Sequence, residues 1–365
     1  MSSRPPPPPP SNDRTLLMPR RDVDVELRPG TRLQEYTVEG LIGAGGFSIV
    51  YRARDTKLDR VVALKEYLPA AFALRDARGT VVPRTPRHAD AYLLGLRSYL
   101  NEARLLASFD HPALLRVYRF WPENGTAYLV MPLVEGATLK RWLADLGASP
   151  SEAWLRHFAL QMTDALDALH TQRIYHRDVA PDNILLQYDR HAGTAFLEQK
   201  PRPVLLDFGA ARRVIGDATQ QLTAILKSGY SPAEQYEGAE TKRQGPWTDV
   251  YALAAVLYAA IAGRTPPSAI GRVVNDTMVP AARVGAGRYS EPFLAAIDAG
   301  LAVRPDQRPQ SMAAFRAALT ATSVPARPPA AAPAAARAVP APASTAAPPP
   351  FWRRWLDALR PRGRR

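Results

Sequence analysis

His176-Arg177-Asp178-Val179-Ala180-Pro181-Asp182-Asn183 lies between Ile174-Tyr175 and the apolar run Ile184-Leu185-Leu186. Its pattern is H-R-D, four residues, then Asn. At that spacing one tight loop holds a carboxylate and an amide. The carboxylate can accept a proton from a substrate hydroxyl, while the amide oxygen binds a metal ion on nucleotide phosphates. Downstream, Asp207-Phe208-Gly209 follows the apolar Val204-Leu205-Leu206 and supplies a second metal ligand.

With both motifs in this order the chain resembles the protein kinases, and the bacterial serine/threonine group among them. That resemblance implies an α+β, bilobal fold, with a five-stranded amino-terminal lobe carrying one main helix and a mostly helical carboxy-terminal lobe. It covers residues 33–321. The amino-terminal lobe is expected over about 33–131, a hinge at 132–136 and the second lobe over 137–321.

Upstream, Tyr36 to Ile42 alternates as a strand and leads into Gly43-Ala44-Gly45-Gly46-Phe47-Ser48-Ile49-Val50. This is a glycine-rich loop with Ser48 in place of the third glycine. Glycines let the backbone turn sharply and bring its N–H groups to phosphate oxygens. Arg60 to Lys65 is a strand ending in V-A-x-K, whose lysine would hold the α- and β-phosphates. Its expected partner is Glu102, on a helix read from Ser98 to Ala107. Residues 66–97 exceed the usual connection, and Tyr67-Leu68-Pro69 with Arg75 to His88 reads as an ordered insertion.

Asn124-Gly125 between two alternating runs, Leu115 to Trp121 and Thr126 to Met131, signals a hairpin. Pro132 to Gly136 then matches the hinge, where the Pro132 carbonyl and Val134 N–H would read adenine beside Met131. The resemblance thus implies an ATP-binding set of Ile42, Gly43, Ala44, Gly45, Gly46, Phe47, Ser48, Val50, Ala63, Lys65, Met131, Pro132, Val134 and Leu185. Asn183 and Asp207 would hold Mg2+, with Mn2+ as the alternative ion. Asp178 would orient the attacking hydroxyl and take its proton.

Ser149-Pro150-Ser151-Glu152 reads as a capping box opening a helix to about His170. Gln187 to Pro203 reads as a surface hairpin. Asp249 in Asp249-Val250-Tyr251-Ala252-Leu253 would cap backbone N–H groups of the catalytic loop, and an ordinary helix N-cap is the plainer reading. Glu234 in Pro232-Ala233-Glu234 is the expected buried partner of Arg308 in Arg304-Pro305-Asp306-Gln307-Arg308-Pro309. Small-molecule kinases of related fold lack this set.

Two positions depart from the family pattern. Serine/threonine kinases usually carry a lysine two residues after the catalytic Asp, where this chain has Ala180. Lys227 falls near the place of a threonine that faces the catalytic loop, and the expectation is that it replaces the missing cation from the other side. Ser48 is the second departure, and it stiffens the loop. Arg177 is a ready partner for phosphate on the activation segment, with Thr219, Thr223 and Ser228 as candidate phosphosites and Thr223 preferred. The reading is a serine/threonine kinase acting on protein hydroxyls, its own included. The alternative is a pseudokinase, a nucleotide-binding scaffold favoured by Ala180, Ser48 and the Pro-rich tails.

The formal charge of +13 is concentrated at one end. From Thr322 to Arg365 eight arginines stand against Asp357, a net of +7, more than half of the excess. High pI is therefore poor evidence for a nucleic-acid-binding fold. Residues 1–32 are Pro-rich and 322–350 Pro/Ala-rich, both expected to be disordered. Phe351 to Arg360 can form a short basic, aromatic helix suited to an anionic membrane surface, or remain a solvated end. Cysteine is absent, which excludes disulfides and thiolate metal sites. Met1 leads into Ser2-Ser3-Arg4 and six prolines rather than a signal-peptide core. The apolar run Val250 to Ala262 is shorter than the about 20 residues a bilayer span needs. A cytoplasmic chain is expected, peripheral at the membrane if the tail binds there.

Overall fold

The computed structural model describes residues 26–187, 201–206, 226–237 and 244–322. All lie in one compact unit, Met1–Val324, and the second unit, Pro325–Arg365, falls outside the described residues. So do Asp207, Phe208, Gly209, Thr219, Thr223, the amino-terminal tail to residue 25 and the basic carboxy-terminal tail.

An antiparallel sheet of order β1-β2-β3-β4-β8-β7 builds the amino-terminal lobe. Its strands are β1 (Arg32–Leu33), β2 (Tyr36–Ala44), β3 (Ser48–Asp55), β4 (Arg60–Tyr67), β7 (Arg119–Glu123) and β8 (Thr126–Pro132). Six strands stand where five were expected. The extra one arises because the chain turns at Gln34 (φ 55°) and folds Arg32 and Leu33 back onto Thr37 and Tyr36. Residue 34 is in the left-handed region, which composition alone does not announce. The hairpin at Asn124-Gly125 forms as read, both residues having positive φ (52° and 72°), the geometry of a two-residue turn whose twist matches the strands. Strand pairing starts at Arg119 rather than Leu115, because Leu205 N donates to the Ala113 carbonyl and Leu115 N donates to the Leu205 carbonyl instead.

The insertion folds as a separate two-stranded hairpin, β5 (Ala73–Arg75) with β6 (Val81–Pro83), followed by a single 3-10 turn at Pro86–His88. Helix α1 then runs Ala89–Ala107, nine residues earlier than the Ser98 read from apolar spacing. The early turns escape a hydrophobic pattern because their buried positions include Ala91 and Gly95, while Leu93 and Leu94 face solvent. A helix face packed closely is marked by small residues as well as large ones.

In the second lobe β9 (Gly136–Thr138), β10 (Ile184–Gln187) and β11 (Arg202–Leu205) form a small antiparallel sheet, flanked by α2 (Leu139–Leu146) and α3 (Glu152–Thr171). β10 and β11 are the flanks of the expected Gln187 to Pro203 hairpin, whose residues 188–200 lie outside the described residues. The capping-box reading needs correcting. Ser151, not Ser149, is the N-cap of α3 and accepts from Trp154 N at 3.3 Å, while Ser149 Oγ donates to the Ile261 carbonyl. Glu152 turns to Ser290 and Arg156, so the box's reciprocal bond is replaced by a tertiary one. Leu155, Phe158, Ala159, Met162, Leu166 and Leu169 are buried, as the 3.6-residue period predicts.

Among the described residues the remaining helices are α4 (Pro246–Ala262), α5 (Ala269–Val274), α6 (Ala281–Val284), α7 (Glu291–Gly300) and α8 (Met312–Thr320). Every residue of α4 from Thr248 to Tyr258 is buried, and α3, α7 and α8 pack against it. Among the described residues no helix is long and apolar enough to cross a membrane.

Candidate active site

Pairing across the first sheet assembles the nucleotide side. Val50 stands opposite Lys65, and Lys65 opposite Leu129, while Ala63 stands opposite Met131. Residues two apart on a strand share a face. Val50, Ala63, Lys65 and Met131 therefore face the same way, and all but Val50 are buried. The Tyr99 hydroxyl, on α1, donates to the Lys65 carbonyl at 3.1 Å, and Lys65 Nζ lies 5.7 Å from the Tyr99 ring centroid. Glu102 is buried on the same helix three residues on.

The glycine-rich loop joins β2 to β3. Ile42 is the extra residue of a bulge between Leu41 and Gly43 and is half exposed. Gly45 N donates to the Ser48 carbonyl at 2.8 Å, closing the tip over Gly46 and Phe47. Ser48 enters the ladder opposite Tyr67, so a side chain there is taken up by strand geometry. Gly43 and Gly46 avoid positive φ, and nothing lies within 4 Å of where a Cβ would be. Their bareness serves whatever approaches the loop, and a cradle of backbone beside a buried lysine fits the phosphates of a nucleotide. At the lobe junction β8 ends on Pro132, Val134 follows in the connection to β9, and Leu185 on β10 pairs with Thr138 on β9.

The catalytic loop is held from beneath. Asp249, fully buried in the first turn of α4, accepts from His176 N at 2.8 Å, Arg177 N at 2.7 Å and His170 Nε2 at 2.8 Å. Gly245, not Asp249, is that helix's N-cap, so the plainer reading of Asp249 does not apply. These bonds hold Arg177 in the left-handed region at φ 64°. Burial pushes the Asp249 carboxyl up, but the bond and positive field of His170 and the bond from the Arg177 amide bring it below its ordinary value. A carboxyl lower in the folded than in the unfolded state stabilises the fold above the unfolded pKa, and loses that effect as pH falls through the folded one. Asp249→Asn should therefore melt below wild type at pH 7, with the gap narrowing as pH falls below the ordinary carboxylate range. A melting-temperature gap unchanged as pH falls would contradict this origin.

His176 Nε2 donates to the Leu206 carbonyl at 2.8 Å and Nδ1 accepts from Asp178 N at 3.3 Å, which sets the neutral ring's tautomer. Leu206 N donates to the Asn183 carbonyl at 2.8 Å. The chain entering Asp207 is thereby bound against the catalytic loop. Asn183 Nδ2 donates to the Asp178 carbonyl at 2.8 Å and to its Oδ2 at 2.7 Å, which leaves Oδ1 of Asn183 as the atom for a cation. Ala180 is fully buried. Lys227 Nζ lies 3.9 Å from Asp178 Oδ1, fixed by a turn in which Tyr230 and Ser231 N–H groups donate to its carbonyl. Ser228, beside it, is exposed.

Below this site Arg308 and Glu234 form a buried pair at 2.7 and 3.2 Å, and Thr248 Oγ1 donates to Glu234 at 3.1 Å. Sequence reasoning missed two side chains that position the loop. Gln235 Nε2 donates to the Arg177 carbonyl at 2.7 Å, and His170 supports Asp249. Their signals are weak, since one follows Glu234 and the other ends a helix.

A family model for the protein kinase domain matches residues 36–317. The chain is similar to serine/threonine-protein kinase PrkC of Bacillus subtilis, 31% identical over 234 residues, or 63% of this chain and 31% of that relative. It is similar to PknL of Mycobacterium bovis, 32% identical over 232 residues, covering 63% of this chain and 50% of the relative. The chain thus spans a third to a half of the length of these curated relatives. Among solved structures, the PpkA-294 apo form superposes with a TM-score of 0.73 at 39% identity, over 81% of this chain and 99% of that one. The match runs through both lobes and every motif from Gly43 to Arg308, and it makes this chain a member of the protein kinase domain family.

Proposed function

We propose that this protein is an ATP-dependent serine/threonine protein kinase whose domain spans residues 33–321 and whose substrates are protein hydroxyls, its own included. The observation that carries this reading is the cluster of Asp178 and Asn183, in a loop fastened to Asp249, with Lys227 brought beside it by the turn at 227–231. A protein hydroxyl would sit at the Asp178 carboxylate and hand over its proton as its oxygen bonds to the γ-phosphorus, while the bond from that phosphorus to the β-phosphate oxygen breaks and ADP leaves. Lys65, partnered by Glu102, and the loop from Gly43 to Ser48 hold the phosphates. Adenine lies between Ile42, Val50, Ala63, Met131 and Leu185, against the Pro132 carbonyl and the Val134 N–H. Asn183 and Asp207 would hold Mg2+, which neutralises phosphate charge when bound. Most of the rate gain comes from position and charge rather than covalent help.

Lys227 takes the part that Ala180 cannot. Its Nζ stands 3.9 Å from Asp178 Oδ1, near enough to balance charge on the phosphoryl group in transit. Lys227→Ala is expected to lower kcat by about 10²-fold with ATP KM changed little, the pattern of an interaction made only in the transition state. Steady-state transfer onto a generic basic protein measures it, and near-normal turnover would remove Lys227 from the mechanism.

Regulation by the activation segment is supported by Arg177, whose Nε is buried with no hydrogen-bond partner among the described residues. Phosphate on Thr223 is the proposed partner, with Thr219 and the exposed Ser228 as the other candidates. Mapping the residues that wild type phosphorylates on itself tests both this choice and the preference for Ser/Thr over Tyr.

A further inference from the structure

Lys65 and Glu66 are neighbours on β4 and so face opposite sides of the sheet. The Lys65 side meets α1. On the other side Glu66, with no solvent exposure, stands opposite Ile49 and Tyr128. There Arg75, on β5 of the inserted hairpin, donates through Nη2 to both Glu66 oxygens at 2.7 and 2.6 Å, and Nη1 donates to the Gly79 carbonyl at 3.0 Å. Tyr51 OH donates to Glu66 Oε2 at 3.1 Å and accepts from Leu27 N at 3.0 Å.

A second connection runs through the backbone to the phosphate loop itself. Past the end of β4, Leu68 N donates to the Phe47 carbonyl and Ala70 N to the Gly46 carbonyl, each at 3.0 Å. Ala70 is in turn held by the hairpin, since Arg84 Nε donates to the Ala70 carbonyl at 2.7 Å and Arg84 N to the Phe72 carbonyl at 2.8 Å. The hairpin's far strand is anchored where Val81 N donates to the Asn124 carbonyl at 2.8 Å, on the β7–β8 turn.

We propose that the hairpin β5–β6 braces the nucleotide loop, and that Glu66 and Arg75 are positioning residues for the phosphoryl donor. The pair reaches Lys65 through one peptide unit, and the 68–70 segment reaches Gly46 and Phe47 through two hydrogen bonds. A buried ion pair is a weak source of stability, because apolar side chains of similar volume commonly do as well. What the charged pair adds is direction: only one placement of β5 on β4 satisfies both Glu66 oxygens. The proposal rests on the reading of the Lys65 face as an ATP site.

The test compares wild type, Arg75→Met, Arg75→Lys and the double variant Glu66→Met/Arg75→Met in ATP-dependent transfer and thermal melting. The double variant leaves no unpaired buried charge, so it should melt close to wild type. Its ATP KM, and that of Arg75→Met, should rise about 10-fold with kcat changed by less than about 3-fold, the pattern of lost donor binding. Arg75→Lys should fall between. A double variant with wild-type melting and wild-type KM would overturn the brace, because the pair would then be packing alone. No transfer by wild type would instead refute the phosphotransferase reading. The brace would then be judged by amide hydrogen exchange, where Leu68 and Ala70 should be as protected as the interior of β4 and lose that protection in the double variant. Fast exchange at both amides in wild type would overturn it.

Discussion

Asp178→Asn is expected to cut phosphoryl transfer by about 10²–10⁴-fold, the range for loss of a positioned general base. The variant should fold normally. Asn at 178 has the shape of Asp and keeps an oxygen that can accept from Asn183 Nδ2, which now bonds both the Asp178 carboxylate and its carbonyl. What is lost is the negative charge that takes the proton and draws Lys227 to within 3.9 Å. Single-turnover transfer from ATP, beside a melting curve, checks both halves. Lys65→Met gives the companion result, because it removes from the opposite lobe the cation proposed to hold the phosphates. Its loss should appear in ATP KM as well as in kcat. If Asp178→Asn keeps turnover within tenfold of wild type, another group takes the proton and the assignment of Asp178 fails. Wild type that binds ATP yet transfers nothing would bring back a scaffold role, with Ala180 the first position to restore to lysine.

The largest loss of stability should come from Glu234→Ala. The Arg308 side chain is completely buried, and Glu234 is its carboxylate partner at 2.7 and 3.2 Å. Arg308 also donates to the carbonyls of Ala302, Val303 and Trp247, so it ties three chain segments together. Without Glu234 the guanidinium remains in a low-dielectric site with its charge uncompensated, and Thr248 loses its acceptor. Breaking such a pair from one side costs about 3–5 kcal/mol. For a domain of this size that is a fall in Tm of roughly 5–8 °C. Calorimetry on Glu234→Ala and on Glu234→Ala/Arg308→Met distinguishes the pair from the packing around it. The double variant should regain part of the loss because no buried charge is left unpaired. A single variant within about 3 °C of wild type would mean that solvent reaches Arg308 and that the pair is not an anchor.

Much of the site was legible because its groups are close in sequence. Asp178 and Asn183 are five residues apart, and the hairpin at Asn124-Gly125 needs only two residues with positive φ. The strand carrying Lys65 has its own period, which places Val50, Ala63 and Met131 on the Lys65 face once the ladders form. Lys227 was readable from its place near the threonine position of the family pattern, and the turn at 227–231 sets it beside Asp178. Less was legible where burial uses small side chains or a local bond is traded for a distant one. Helix α1 hides its first turns behind Ala91 and Gly95. Ser149 gives up its capping place because its hydroxyl finds Ile261, 112 residues away.

By itself the sequence determined which chemical groups the protein carries and in what order: the glycine loop, Lys65, the H-R-D loop with Asn183, and the pair Glu234 and Arg308. Tertiary structure alone decided that Gln235 and His170 support the catalytic loop, that Arg75 closes on Glu66, and that residues 68–70 bond to the glycine-rich loop. The reason is that a buried polar group must find a partner within hydrogen-bond reach, and which partner is nearest depends on how whole elements pack. Asp249 meets the His176 amide across 73 residues because α4 is buried all round and can lie only against α3 and its neighbours.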